Sequence, residues 1–154
     1  MRLFHTFVLF ALGPLASLIA QSSPPSSGEK DAVAVVQHIF DGMAAHDAAL
    51  IRSVMLPDAR LFAIRDNGAP VSTAAADFAS QIAANQSALV ERFTGQPKVL
   101  IRGRMAQVWG EYEFLRDGKF QHCGVDSVSL LKTADGWKVA AIAYTSETTG
   151  CKAP

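Results

Sequence analysis

Asp126 stands in the middle of a β-rich run, between Val125 and Val128, where an aspartate has poor strand propensity. Buried there, its carboxyl would titrate above the usual range and serve as a general base. His122 lies four residues before it. An imidazole and a carboxylate at the mouth of one cavity can shuttle a proton, the work of an isomerase or a dehydratase. On a single strand the two sit about 13 Å apart along the backbone, so no tight dyad follows. Asp126 and His122 are the candidate base and acid. Trp109, Glu111, Tyr112 and Tyr144 are the candidate ligand contacts, the tyrosines for hydroxyls that orient a ligand. The competing reading is a half-exposed sheet face with ordinary polar alternation.

Other chemical signatures carry less. His46-Asp47 could pair as a base, but Asp47 is better explained as a helix N-cap. His38 falls beside the apolar stripe of a helix, the place of a surface or boundary histidine. Arg102 and Arg104 share a strand face and could grip an anion; a solvated edge is the more usual explanation. The sequence has no Gly-rich phosphate loop, no H-E-x-x-H and no G-x-S-x-G. No metal site and no cofactor are expected, since two distant cysteines and scattered histidines fall short of a zinc set.

Residues 99–146 must position the candidates. They read as three antiparallel strands joined by two tight turns, Arg116-Asp117-Gly118-Lys119 and Thr133-Ala134-Asp135-Gly136-Trp137. Asp-Gly between β-rich runs signals a hairpin, because Gly accepts φ > 0. With Asp117-Gly118 as the turn pair, Glu113 falls opposite His122, Glu111 opposite Gly124 and Trp109 opposite Asp126. A three-residue second turn puts Asp126 and Val128 on the face of Tyr144 and Ile142. One face then gathers Trp109, Glu111, Glu113, His122, Asp126 and Tyr144. The other gathers Val108, Tyr112, Val125, Leu131, Trp137 and Val139. A slip of one residue would exchange faces.

Ahead of this meander the pattern is helical. Ser26-x-x-Glu29 resembles a capping box. A helix from about Asp31 to Ala45 sets Val35, Val36, Ile39, Phe40 and Met43 in one stripe. Asp47 caps a second helix through Met55, and Pro57 stops it. Residues 60–65 are β-like, Asp66-Asn67-Gly68 is a turn, and Val71 begins a return strand. Ser72 or Thr73 caps a third helix over residues 74–86, with Phe78 and Ile82 inward. Residues 88–93 form one more strand. Helices on one face of an antiparallel sheet make an α+β fold, and a twisted sheet wrapped round them leaves a cone with an open mouth.

Composition fits one exported domain. Residues 1–22 read as a signal peptide: Arg2 and His5 precede an apolar run, Gly13-Pro14 breaks it, and cleavage falls after Ala20 or Ser22. Residues 23–29 are a Ser/Pro-rich linker and residues 30–154 the domain. The expected location is secreted or periplasmic, with no membrane attachment after signal removal. Fourteen basic residues balance 14 acidic ones, which argues against general affinity for nucleic acid. Cys123 and Cys151 are an even pair in an oxidising compartment and read as one disulfide. Hairpin pairing brings Cys123 opposite about Glu147, so a short tail can reach back.

The order of motifs resembles the nuclear transport factor 2-like superfamily, including its SnoaL-like and lumazine-binding-like families. The carrying residues are Gly42 to Asp47, then Asp58-Ala59-Arg60-Leu61-Phe62. Further on come Ala106-Gln107-Val108-Trp109-Gly110-Glu111-Tyr112, Asp117-Gly118 and Asp135-Gly136-Trp137-Lys138-Val139. The resemblance covers nearly all of the chain after the signal peptide. It implies an α+β cone of about three N-terminal helices inside a strongly curved antiparallel sheet. It also implies a homodimer through the outer face of the sheet. It leaves activity open among small-molecule binding, cofactor-independent lyase or isomerase chemistry, and dimerisation without a ligand.

Overall fold

The computed structural model describes residue 24, residues 26–66 and residues 68–151. The signal-peptide reading of residues 1–22 lies outside the described residues. The first helix, α1 (Ser27–Ala44), begins earlier than expected and takes up residues 27–29 of the anticipated linker. Its start is fixed by the full capping box: the Ser26 hydroxyl accepts from the Glu29 N–H, and the Glu29 carboxylate accepts from the Ser26 N–H. The buried stripe of α1 includes Val36, Ile39, Phe40 and Met43.

Asp47 caps α2 (Ala48–Ser53) through the Leu50 N–H at 2.9 Å. The helix ends before Met55, because Met55 already opens β1 (Met55–Arg65). Pro57 therefore lies within a strand, where the pairing is irregular between Met55 and Arg60 and its missing N–H costs no ladder bond. β2 (Pro70–Ala74) returns along β1, so Ser72 and Thr73 pair with Phe62 and Leu61 and cap nothing. α3 (Ala75–Ala84) starts from Ala74 with no side-chain cap.

The remaining strands are β3 (Leu89–Phe93), β4 (Lys98–Arg102), β5 (Met105–Arg116), β6 (Lys119–Thr133) and β7 (Gly136–Ser146). They make one sheet in the order β2-β1-β7-β6-β5-β3, with β4 also on β5, and β1–β7 is the parallel pair. Four strands, not three, occupy residues 98–146. Gly103 at φ 58° turns the chain between Arg102 and Met105, and this splits the expected first strand in two. Arg102 ends β4 and Arg104 lies in that turn, so they do not share a strand face.

Register decides what the sheet presents inward. Arg116 pairs with Lys119 as the Asp117-Gly118 turn dictates, but a bulge at Gln121 then shifts the ladder. Phe114, not Glu113, faces His122; Gly110, not Trp109, faces Asp126; Tyr112 faces Gly124. The second hairpin has a two-residue turn, Thr133 pairing with Gly136, and a bulge at Ala140 restores the phase. Asp126 pairs with Tyr144 and Val128 with Ile142, as expected, by a different route. The core lies between the helices and the inward residues Val108, Tyr112, Val128, Leu130, Val139 and Ile142.

Cys123 and Cys151 form a disulfide across 28 residues. Cys123 and Glu147 exchange two backbone hydrogen bonds, at 3.0 and 2.8 Å, which bring the tail within reach. Replacing both cysteines by serine is expected to cost about 3–4 kcal/mol in the chain-entropy account, read from urea unfolding in the absence of reductant. An unchanged midpoint would show that the bridge does not constrain the unfolded chain.

Candidate functional site

The inward phase of five strands converges at the open end of the cone. Leu61, Ala63 and Arg65 alternate along β1; Leu89, Glu91 and Phe93 along β3; Tyr112, Phe114 and Arg116 along β5. β6 contributes His122 and Asp126, and β7 contributes Tyr144 and Ser146. Met43 of α1 closes the inner side. Together Met43, Arg65, Glu91, Phe114, Arg116, His122, Tyr144 and Ser146 line a cavity of about 370 Å³. That lies at the lower end of the roughly 300–1,000 Å³ of small-molecule pockets.

Of the candidates, the structure brings His122, Asp126, Tyr112 and Tyr144 to the inward face. His122 stacks on Phe114, with ring centroids 4.9 Å apart, and meets the edge of Tyr112 at 5.8 Å. Burial, with Arg65 and then Arg116 nearby, pushes its imidazole below the usual value and keeps it neutral. Asp126 is 4% exposed, and burial pushes its carboxyl up to about 7. Tyr112 is buried too, and its hydroxyl donates to the Thr145 carbonyl at 2.8 Å, so it ties β5 to β7. Gly124 makes room for this bond, since a Cβ there would run into that same carbonyl.

The bulge separates the other two. Trp109 and Glu111 project from the outer face, and the expected grouping of Trp109, Glu111 and Glu113 with Asp126 does not form. Glu113 is buried in a cross-strand ion pair with Arg92 at 2.6 Å. His46 faces the Ile82 carbonyl at 3.1 Å while Asp47 serves α2, so they form no base pair. His38 is exposed on α1. Among the described residues, no group of three or more His, Cys, Asp or Glu is placed to hold a metal ion.

Glu91 was not singled out by the sequence, yet it lines the cavity. Its carboxyl is raised well above the usual range, first by burial and then by Asp126. The signal was present: Glu91 takes the middle position of the apolar alternation Leu89, Glu91, Phe93. Glu91 and Asp126 share one low-dielectric region with Tyr112 and Tyr144, both of whose hydroxyls are held protonated by burial and by these carboxyls. Such a pair favours a single negative charge between two acids, a proton store that works near neutrality.

Raised acids make the folded state the better proton binder. Their stabilising contribution is full below about pH 4 and is lost as pH rises through about 7. His122, lowered, acts the other way and costs stability as pH falls below its ordinary 6.5. The melting temperature is therefore expected to fall as pH rises from about 4 to 7, His122 offsetting part of that fall below 6.5, and Asp126→Asn to flatten the fall and raise the value at pH 8. A profile unchanged by the substitution would contradict the assignment.

The sequence matches the model of the family described as "Putative lumazine-binding" over residues 27–145. No curated protein matches it. Among solved structures it is similar to a nuclear transport factor 2-like superfamily protein from Salmonella enterica, at 14% identity and TM-score 0.65, over 81% of this chain and 94% of that one. It is also similar to a Streptomyces avermitilis protein titled a putative dehydratase from the NTF2-like family, at 18% and 0.63, over 76% and 94%. An NTF2-like protein with a cystatin-like fold from Novosphingobium aromaticivorans matches at 14% and 0.63, over 79% and 82%. At these identities the likeness is one of fold. The family match spans most of the chain, and the curved, unclosed sheet around three helices agrees with it. The chain belongs to the lumazine-binding-like family and has the α+β cone of the nuclear transport factor 2-like superfamily.

Proposed function

We propose that this chain is an exported small-molecule-binding domain that takes one compact ligand into the mouth of the cone. The observation that carries this reading is the open cavity of about 370 Å³ whose wall mixes apolar surface from Met43 and Phe114 with polar groups from Tyr144, Glu91 and His122. Export is supported by the apolar N-terminal run and by the Cys123–Cys151 bridge, which suits an oxidising compartment.

The raised carboxyls of Glu91 and Asp126 favour a second reading at the same site, a cofactor-independent isomerase or lyase. One carboxylate of the pair takes a proton from a ligand carbon, and the neutral His122 stands in the same wall to accept or return one. For an isomerisation the balance closes without any cofactor: one C–H bond breaks, another forms, and the proton is conserved.

A thermal-shift screen of the protein against small metabolites tests both. A ligand at 100 times its dissociation constant adds about 2.7 kcal/mol to stability. With the hit in hand, deuterium exchange into it from solvent reports proton transfer. Asp126→Asn and Glu91→Gln are each expected to slow that exchange about a hundredfold or more while binding persists. Binding without exchange would leave the binding reading alone standing.

The outer face supports a second copy of the chain as partner. Phe62, Ala143, Ser127 and Trp109 lie in one row across four strands, with Ile64 and Val125 beside them. Phe62 and Trp109 are 46% and 40% exposed. A contiguous apolar patch of this kind calls for cover. The protein is expected to sediment as a dimer at micromolar concentration, and Phe62→Glu with Trp109→Glu as a monomer. A wild-type monomer would end the dimer proposal.

A further inference from the structure

We infer that the cone mouth is built to receive the anionic end of its ligand, a small organic carboxylate or phosphate held between Arg65 and Arg116, with the uncharged end pointing inward to Tyr144 and Glu91. This rests on the binding reading above and adds the chemical class. Arg65 is the last residue of β1 and Arg116 the last of β5, and both fall on the inward phase of their strands. Both line the same cavity, with the Ser146 hydroxyl beside them. Among the described residues the one carboxylate–cation pair within 4 Å is Arg92–Glu113, so neither rim guanidinium is spent on a carboxylate.

Guanidinium stays charged at any working pH, and its fork of N–H donors matches carboxylate and phosphate oxygens. Two such groups on a concave rim focus a positive field, although the whole chain is neutral. The interior acids offset it only in part, because burial and their proximity favour at most one negative charge between the two. The fields of both arginines already meet at one point: each lowers the imidazole of His122. The ionisable groups that share the cavity wall with that imidazole are Arg65 on β1, Glu91 on β3, Arg116 on β5 and Tyr144 on β7, and Tyr112 of β5 meets its ring; Asp126 lies farther along β6. Met43 of α1 brings no charge. An anion seated between the arginines offsets their field and raises the His122 pKa.

Benzoate, phenyl phosphate and the near-isosteric neutral benzamide test this, each titrated into the purified protein with the His122 ring followed by NMR. At least one anion is expected to bind about tenfold or more tighter than benzamide, the worth of one charge-assisted contact, and to raise the His122 pKa. The tighter of the two anions names the source, carboxylate or phosphate. Arg65→Gln and Arg116→Gln should each remove most of that preference, while Lys132→Gln, at the far end of β6, should keep it. Native ring-shifted resonances in the arginine variants control for folding. Equal binding of all three probes, no binding by any, or a preference that survives the double arginine variant overturns the inference. The small-molecule reading fails separately, if the metabolite screen finds no ligand at all.

Discussion

Two carboxyl groups in a dry interior cannot both ionise, and the inside of this cone is arranged around that limit. Glu91 and Asp126 come from strands on either side of β5 and raise each other's cost of ionisation. Around them the polar atoms are engaged elsewhere or uncharged: the Tyr112 hydroxyl donates away to Thr145, and His122 is held neutral. The positive charge is confined to the rim. From mouth to interior the wall therefore changes from two fixed cations to a pair of acids sharing a proton, a steep change in environment over one small cavity.

The fold holds this arrangement with few devices. Bulges at Gln121 and Ala140 add the local twist and bend that let seven strands wrap three helices without closing. The parallel contact of β1 with β7 brings Arg65 to the same rim as Ser146. The disulfide begins at Cys123, next to His122, so it braces the strand that carries the imidazole. Trp109, on the opposite face, has Lys98 over its ring at 5.6 Å and belongs to a different surface altogether.

Much of this was legible in residue types. The capping box at Ser26, the N-cap at Asp47, the Asp117-Gly118 turn, the bridge of Cys123 to Cys151 and the pairing of Asp126 with Tyr144 each rest on local chemistry with one favoured geometry. The face of β5 was misread because turn and core disagree by one residue. The turn alone sets Trp109 against Asp126. The apolar phase sets Val108, Tyr112 and Phe114 with Val128 and Leu130, all even-numbered positions, and burial won. That disagreement is itself the mark of a bulge, which has no residue signature of its own. Glu91 and the rim arginines escaped for a related reason: each is a polar residue on an otherwise apolar alternation, and only assembly of five strands shows that they meet.

Gln121 has a consequence beyond its own side chain. It has no partner on β5, so it absorbs the one-residue step between the phase set by the Asp117-Gly118 turn and the phase set by the core. A chain lacking Gln121 would still place Phe120 opposite Leu115 and His122 opposite Phe114, and the imidazole and carboxyl would keep their inward face. A residue lost between His122 and Asp126 would instead put the two on opposite faces. The hairpin thus tolerates a change of length near its tip and not along the stretch that furnishes the cavity.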